Sequence, residues 1–200
     1  MLTRLFAGWG RMVTLTLLLS AAWGLSAAWA ADDSEWQTLS KGNVVIRQNA
    51  PAGVVPSVEA KILIPKPSEK VWKVVADPEK LMHEEHKVKK VKILSRSGNT
   101  QNVEFSVLMT RLLPPFNYVL QQSLSPPYVL NFRRVSGSFK DIQGSWKLQP
   151  VDNGKKTILS YTLKLDPGPL IPKSMLLGAV KADLPSMMKN AKSAIDKGSP

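Results

Sequence analysis

The stretch PSEKVWKVVADPEKL, residues 67–81, predicts one short helical region in a chain whose other patterns are mostly those of β-strands. Ser68 is placed to cap this helix, and the apolar side chains that follow it fall on one face. Asp77 and Pro78 begin a second short helical turn. A short helix embedded in a long series of strands indicates an α+β protein.

Strand patterns flank this helix on both sides. Residues 58–64, VEAKILI, precede it, and alternation is clearest afterwards, where Val103, Phe105 and Val107 share one face of a strand. The strands predicted after the helix are residues 87–95, 102–110, 116–124, 128–135, 138–150 and 157–165. Together with residues 58–64 they predict a curved antiparallel sheet of about seven strands.

A long helix is predicted to close the chain. Residues 166–169, Asp-Pro-Gly-Pro, mark the change from strand to helix, and apolar residues recur at helical spacing from Ile171 onward. Pro185 lies inside this pattern and is expected to kink or split the helix, because proline removes one backbone hydrogen bond. A curved sheet with one terminal helix laid across it leaves a cavity, which favours a container for an apolar molecule.

Residues 1–30 have the order of a secretory signal peptide. Arg4 and Arg11 come first, an apolar run follows, and residues 28–30, AWA, fit the cleavage pattern. We expect cleavage after Ala30 and export to the periplasm, with retention of the segment as a membrane anchor as the alternative. Residues 31–57 are then an N-terminal extension with one short strand, and residues 58–197 a single domain. The chain has no cysteine, so this domain depends on its core rather than on disulfides.

The charge balance of the chain is strongly basic. Lys and Arg number 27 against 15 Asp and Glu, a net charge of +12, and loss of the two arginines of the signal peptide would leave +10. Such a balance favours anionic partners such as a phospholipid surface, whereas export argues against nucleic acid. The lysines of residues 87–92 are either a docking patch for anionic lipid or a solvated strand face that deters edge pairing.

Two motifs and the closing helix resemble a known superfamily. The opening strand and helix match its apolar-Pro-x-x-x-Val-Trp-x-x-x-x-Asp pattern at Pro67, Val71, Trp72 and Asp77. Its Gly-x-Trp-x-Leu strand and following Gly-Lys-Thr hairpin correspond here to Gly144, Trp146, Leu148, Gly154 and Thr157. The internal Leu184-Pro185 of the closing helix is a third similarity. Over residues 58–197 the chain thus resembles START-like, Bet v 1-like (SRPBCC) helix-grip proteins, which include polyketide cyclases and coenzyme-Q-binding proteins.

This resemblance implies a cavity for lipids, quinones, sterols or polyketide-like rings, and it leaves the activity open because fold does not fix function. The first hypothesis is an exported carrier, without enzymatic activity, for a lipid, a quinone or a similar hydrophobic molecule. The alternative is a polyketide cyclase or dehydrase type of enzyme that uses the same cavity. A third is an interaction module with a filled core. We expect a monomer that needs no cofactor.

Large inward-facing side chains of the sheet and of the last helix form the predicted ligand-binding set. Methionine favours such a role, because it is unbranched and adapts to variable ligands. The alternative is that these side chains simply pack against one another. The set is Phe105, Val107, Met109, Tyr118, Leu120, Phe132, Trp146, Tyr161, Leu163, Leu177, Val180, Leu184 and Met188.

Catalytic motifs are few. His83 and His86 lie three residues apart rather than the four that a zinc-protease helix requires, so we expect no metal site. No cysteine and no Gly-x-Ser-x-Gly motif is present, which argues against nucleophilic catalysis. Tyr161 or an inward arginine is the candidate polar group of an enzyme. Other titratable candidates are Glu104, Asp141, Arg133 and Arg134, of which Glu104 is expected on the solvated face.

Overall fold

A computed structural model describes residues 33–49, 55–108, 114–169 and 172–198 of the chain. Two compact units are distinguished, Met1–Glu35 and Trp36–Pro200. The expected signal peptide, residues 1–30, lies outside the described residues. The fold below is that of the second unit.

From Val45 onward the described elements follow the predicted order of strands and helices, whereas the helix that precedes Val45 was not predicted. A helical segment, α1, includes residues 33–40. The helices that follow are α2 (Ser68–Val75), α3 (Pro78–Leu81) and α4 (Lys173–Gly198). The strands are β1 (Val45–Asn49), β2 (Ser57–Ile64), β3 (Val88–Ser97), β4 (Thr100–Val107), β5 (Phe116–Ser125), β6 (Val129–Gly137), β7 (Asp141–Val151) and β8 (Lys156–Asp166).

The strands form one antiparallel sheet in the order β1-β2-β8-β7-β6-β5-β4-β3. It has eight strands rather than about seven, because the short strand expected in the N-terminal extension pairs with β2. Strands β3 to β8 follow one another through hairpins, and β2 joins β8 across the sheet. The chain is therefore an α+β protein with a sheet that grips a long C-terminal helix.

The start of α2 differs from the expectation. Pro67, not Ser68, is the N-cap residue, and no side chain caps the helix. The Ser68 hydroxyl is buried and instead lies 3.0 Å from the Thr157 hydroxyl, which donates to the backbone oxygen of Lys66 at 2.8 Å. The predicted second turn is confirmed, since the Asp77 carboxylate accepts a hydrogen bond from the Lys80 backbone N–H at 3.2 Å.

The long helix α4 is continuous through Pro185, so the proline does not split it. Its buried side chains, Leu184, Met188 and Ile195, share one helix face and are at most 2% exposed. Lys66 donates to the backbone oxygens of Ile195 and Asp196, each at 3.1 Å. A lysine at this end satisfies carbonyls that lack a helical partner, which holds the last turn of α4 beside the start of α2.

The inner face of the sheet supplies most of the core. Alternate residues of β2 are fully buried, and α2 adds Val71, Val74 and Val75 to the same cluster. Gly144 of β7 allows Thr162 of β8 and the Phe132 ring of β6 to lie close to the β7 backbone, because a Cβ at this position would clash with the Thr162 carbonyl oxygen and with that ring. Register shifts between Val119 and Leu120, and at two points of β3, accompany the bending of the sheet.

Candidate ligand-binding cavity

A cavity of about 170 Å³ lies between the inner face of the sheet and α4, and it is partly open to solvent. Its wall is predominantly apolar and draws on the α3 region, on strands β4 to β8 and on α4. Since a closely packed interior leaves few voids larger than a water molecule, this space is a distinct feature of the fold. The geometry is that of a site for a small apolar molecule.

Most of the predicted set borders this cavity. The members that line it are Phe105, Val107, Tyr118, Leu120, Phe132, Trp146, Tyr161, Leu163, Val180 and Leu184. Leu177 packs against the core without lining the cavity, and Met188 is fully buried in the core. Met109 lies outside the described residues. Contact of these side chains with a ligand stays a prediction.

Several lining residues were not in the predicted set. They come from α3 and the turn after it, from the start of β3, from β5, from the β6–β7 region, from the end of β8 and from α4: Pro78, Leu81, Met82, Glu85, Lys87, Val88, Gln122, Phe139, Ile142, Leu165, Asp183 and Met187. Gln122 could have been found, because alternation puts it on the face of Leu120. Met187 could also have been found, because it lies three residues after Leu184 and therefore on the same face of α4.

Stacked aromatic rings form the wall on the sheet side. The Tyr118 ring lies 5.5 Å from Phe105 and 5.5 Å from Phe139, between ring centroids. The Tyr161 ring lies 4.5 Å from Trp146 and 5.9 Å from Phe132. Such offset and edge contacts stabilise the positions of the rings more than burial of their surface alone would. Both phenol groups are thereby held on the cavity wall.

The two phenol hydroxyls have no hydrogen-bond partner among the described residues. Burial raises the pKa of Tyr118 well above its usual value. Burial raises the pKa of Tyr161 as well, and the neighbouring Tyr118 adds to this effect. Both groups therefore stay protonated at neutral pH, so each can donate a hydrogen bond to a ligand but neither serves as a base.

The charged lining residues lie at one side of the cavity, between the turn before β3 and α4. Lys87 Nζ lies 2.6 Å from Asp183 Oδ2. The Glu85 side chain accepts from Asn190 Nδ2 at 3.2 Å and from the Lys87 backbone N–H at 3.3 Å. Each charged group on the wall is thus held by another protein group. We refer to Glu85, Lys87 and Asp183 as the cavity mouth.

The remaining sequence candidates do not line the cavity. His83 and His86 are exposed. Glu84 lies between them in sequence, and the hydrogen bond and positive charge of Lys197 lower the pKa of its carboxyl group. Glu104 is on the outer face, as expected, where Lys90 lies 2.7 Å away. Neither Arg133 nor Arg134 lines the cavity. Instead Arg133 donates to Gln121 and Arg134 to the Gly137 carbonyl.

In the ranges given above, no group of three or more His, Cys, Asp or Glu side chains could hold a metal ion. No helix within those same ranges is long and apolar enough to cross a bilayer.

Comparison with solved structures identifies the fold. The chain is similar to the Zhui aromatase/cyclase from Streptomyces sp. R1128, with 18% identity, a TM-score of 0.62, and coverage of 76% of this chain and 95% of that one. Human StAR-related lipid transfer protein 5 shares 13% identity with a TM-score of 0.63, over 87% and 96% of the two chains. A STAR-related lipid transfer protein from Xanthomonas axonopodis shares 14% identity with a TM-score of 0.63, over 77% and 94%. At such low identity these likenesses establish the helix-grip fold alone.

Sequence comparison assigns the family. A search of curated proteins found no significant match. The sequence profile described as polyketide cyclase/dehydrase and lipid transport matches residues 64–192, more than half of the chain. This range includes α2, strands β3 to β8 and most of α4. The chain therefore belongs to the polyketide cyclase/dehydrase and lipid transport family.

Proposed function

We propose that this protein is an exported carrier that binds a hydrophobic small molecule, of the lipid or quinone kind, in the cavity between the sheet and α4. The observation that carries the proposal is the cavity of about 170 Å³ with its aromatic and aliphatic wall, which has room for a ring-sized apolar group. Because the cavity is partly open, the remainder of a longer ligand would extend through the opening. Burial of an apolar ligand contributes about 25 cal/mol per Å² of apolar surface before the costs of ordering. The names of the similar lipid transfer proteins support the same class of ligand.

The polar groups of the wall favour binding over catalysis. Glu85, Lys87 and Asp183 are held by protein partners at the mouth. A general base needs an accessible group with a pKa near the working pH. The raised pKa values of Tyr118 and Tyr161 move these groups away from that range. The wall is therefore suited to orienting a ligand.

The second candidate is an enzyme of the polyketide cyclase or dehydrase type. The buried hydroxyls of Tyr118 and Tyr161 favour it, because a protonated phenol can donate to a carbonyl oxygen on which negative charge develops. The similarity to an aromatase/cyclase supports this alternative. If the protein is such an enzyme, Tyr161→Phe should abolish turnover of a poly-β-ketone substrate while leaving its binding intact.

Native mass spectrometry of gently purified protein tests the carrier. The full chain is expressed with its natural N-terminus, and the mass of the mature protein and of any bound molecule is measured together. A carrier gives a complex with one lipid- or quinone-sized molecule that organic extraction recovers. A protein that is uniformly free of such molecules, even after incubation with extracted membranes, contradicts the proposal.

Export and membrane docking complete the proposal. A mature chain that begins after Ala30 would carry a charge of +10 and would work as a monomer that collects its ligand from an anionic membrane face. Lys89, Lys90 and Lys92 of β3 are exposed and would lie against such a surface. Vesicles with and without phosphatidylglycerol test this, since binding must require the anionic lipid and fall as salt rises. Equal sedimentation with neutral vesicles would contradict it.

A further inference from the structure

We propose that Gln122 is a specificity-determining residue whose side-chain amide donates to a carbonyl oxygen of the ligand, and that Arg96 orients this amide through Gln101. The proposal rests on the function proposed above for the cavity, and it adds a chemical class: the ligand presents a ketone, quinone or ester carbonyl at this point of the wall. None of the three residues belongs to the aromatic wall or to the cavity mouth.

A continuous hydrogen-bond chain runs along one face of the sheet, from the exposed edge strand β3 to the cavity. Arg96 donates to Gln101 Oε1 through Nε at 3.0 Å and through Nη2 at 2.7 Å. Gln101 Nε2 then donates to Gln122 Oε1 at 2.6 Å and to the backbone oxygen of Ala76 at 3.3 Å. Gln101 and Gln122 are opposite each other in the β4–β5 register. Of the two glutamines, Gln122 lines the cavity.

The chemistry of arginine determines which way both amides point. A guanidinium has only donors, so the Gln101 atom that faces Arg96 must be the carbonyl oxygen. The other end of Gln101 is then an NH₂ group, and the Gln122 atom that it meets must be an acceptor. Gln122 is thereby left with its own NH₂ group. The orientation follows from the network and does not depend on telling amide oxygen from nitrogen.

The NH₂ group of Gln122 has no partner among the described residues. Gln122 is 5% exposed and Gln101 is 1% exposed, so the pair is removed from bulk water. The Gln122 Nε2 atom keeps some accessible surface, so it is open to the cavity space, and a hydrogen bond from a charged group strengthens the donors that follow in a chain. The cavity therefore presents a preoriented donor, and an acceptor such as a carbonyl oxygen is its complement.

Two matched bicyclic probes test this, 1-tetralone and tetralin, which differ by one carbonyl oxygen. Their dissociation constants are measured by calorimetry for the full protein and for Gln122→Met, a substitution of similar shape. Loss of the hydrogen bond should weaken binding of 1-tetralone by about tenfold relative to tetralin. The matched control is Gln121→Met, because Gln121 lies on the outer face, where its Oε1 accepts hydrogen bonds from Arg133 Nε at 3.1 Å and from Arg133 Nη2 at 2.6 Å.

Arg96→Met tests the positioning role, with Arg133→Met as its control. We expect the affinity for 1-tetralone, relative to tetralin, to fall about threefold for Arg96→Met and to stay unchanged for Arg133→Met. A structural role alone would not move the side-chain amide resonance of Gln122. In ¹H–¹⁵N NMR spectra of the unsubstituted protein, that resonance should shift on addition of 1-tetralone and stay in place with tetralin.

The outcomes separate this inference from the proposed function. Suppose that tetralin binds but Gln122→Met leaves the ratio of the two affinities unchanged, or that the Gln122 amide resonance does not shift on addition of 1-tetralone. In either case the inference is wrong and the carrier proposal stands. If neither probe binds the unsubstituted protein, both are overturned. Retained binding of tetralin by each variant shows that the variant is folded.

Discussion

Lys87 Nζ and Asp183 Oδ2 lie 2.6 Å apart and join the turn before β3 to α4 at the cavity mouth. Both side chains are about two-fifths exposed, at 42% and 37%. An ion pair of this exposure contributes about 0–1 kcal/mol to stability. Its position, rather than its strength, suggests a role that can be tested, because a ligand that entered between the two elements would break this contact.

The first prediction concerns ligand release. Asp183→Asn should speed the dissociation of a bound ligand about threefold and change the free energy of unfolding by less than about 1 kcal/mol. Stopped-flow fluorescence with an apolar dye measures the rate. The control is Asp196→Asn, which breaks the 2.9 Å ion pair with Lys192 further along α4. Equal acceleration in both variants would show that the mouth pair has no gating role.

The second prediction concerns Gly144. Gly144→Ala should lower the free energy of unfolding by about 2–3 kcal/mol, because the added methyl group meets the Thr162 carbonyl and the Phe132 ring. Urea denaturation measures the change. The control is Gly178→Ala in α4, where a Cβ has no neighbour within 4 Å. That substitution should stabilise the protein by about 0.5–1 kcal/mol, since alanine is the better helix former. A neutral Gly144→Ala would refute the close approach of β6, β7 and β8.

Much of the fold could be predicted from local patterns. Alternation in β4 assigns Val103 and Phe105 to one face, and the residues Asp152-Asn153-Gly154 adopt the positive φ angles that a tight turn requires. The prediction that Ser68 caps α2 was wrong, because the Ser68 hydroxyl instead contacts the hydroxyl of a distant residue, Thr157. Of the two outcomes expected at Pro185, the split was wrong, because α4 is continuous there, and the kink stays a prediction.

The residues of the site were predictable where strand geometry determines which way a side chain points. Side chains of β4, β5 and β8 that point inward by alternation line the cavity, as Phe105, Tyr118 and Leu163 do. On α4 the pattern identifies the buried face but not the point along the axis where the cavity ends, so Met188 lies in the core. Lining residues from turns, such as Phe139, depend on contacts between distant segments that no local pattern contains.

The third prediction concerns alkaline pH. Folding raises the pKa of Tyr118 and Tyr161, so the folded state keeps protons that the unfolded state loses near pH 10. The contribution of these tyrosines to the free energy of unfolding is therefore fully present below about pH 10. It falls above that pH, by about 1.4 kcal/mol for each tyrosine at pH 11. Urea denaturation at pH 8 and pH 11 measures the loss. The double variant Tyr118→Phe, Tyr161→Phe should lose less stability, and an equal loss would contradict burial of the phenols.

The fourth prediction uses two leucines of β8 that lie on the same inner face. Leu159 is fully buried in the core, whereas Leu163 borders the cavity. Leu159→Trp should lower the free energy of unfolding by about 1–3 kcal/mol or more, because a packed core has no space for the larger ring. Leu163→Trp should change it by less than about 1 kcal/mol, because the ring enters open space. Urea denaturation of both variants compares them, and equal destabilisation would mean that no usable space exists at Leu163.

The central claim is that the space between the sheet and α4 receives an apolar molecule. Titration of the apolar dye N-phenyl-1-naphthylamine into the unsubstituted protein and into folded Leu163→Trp tests it most directly. We expect saturable binding of one dye to the unsubstituted protein and its loss when the indole ring fills the cavity. Undiminished dye binding by Leu163→Trp, or no binding by either protein, would contradict the account.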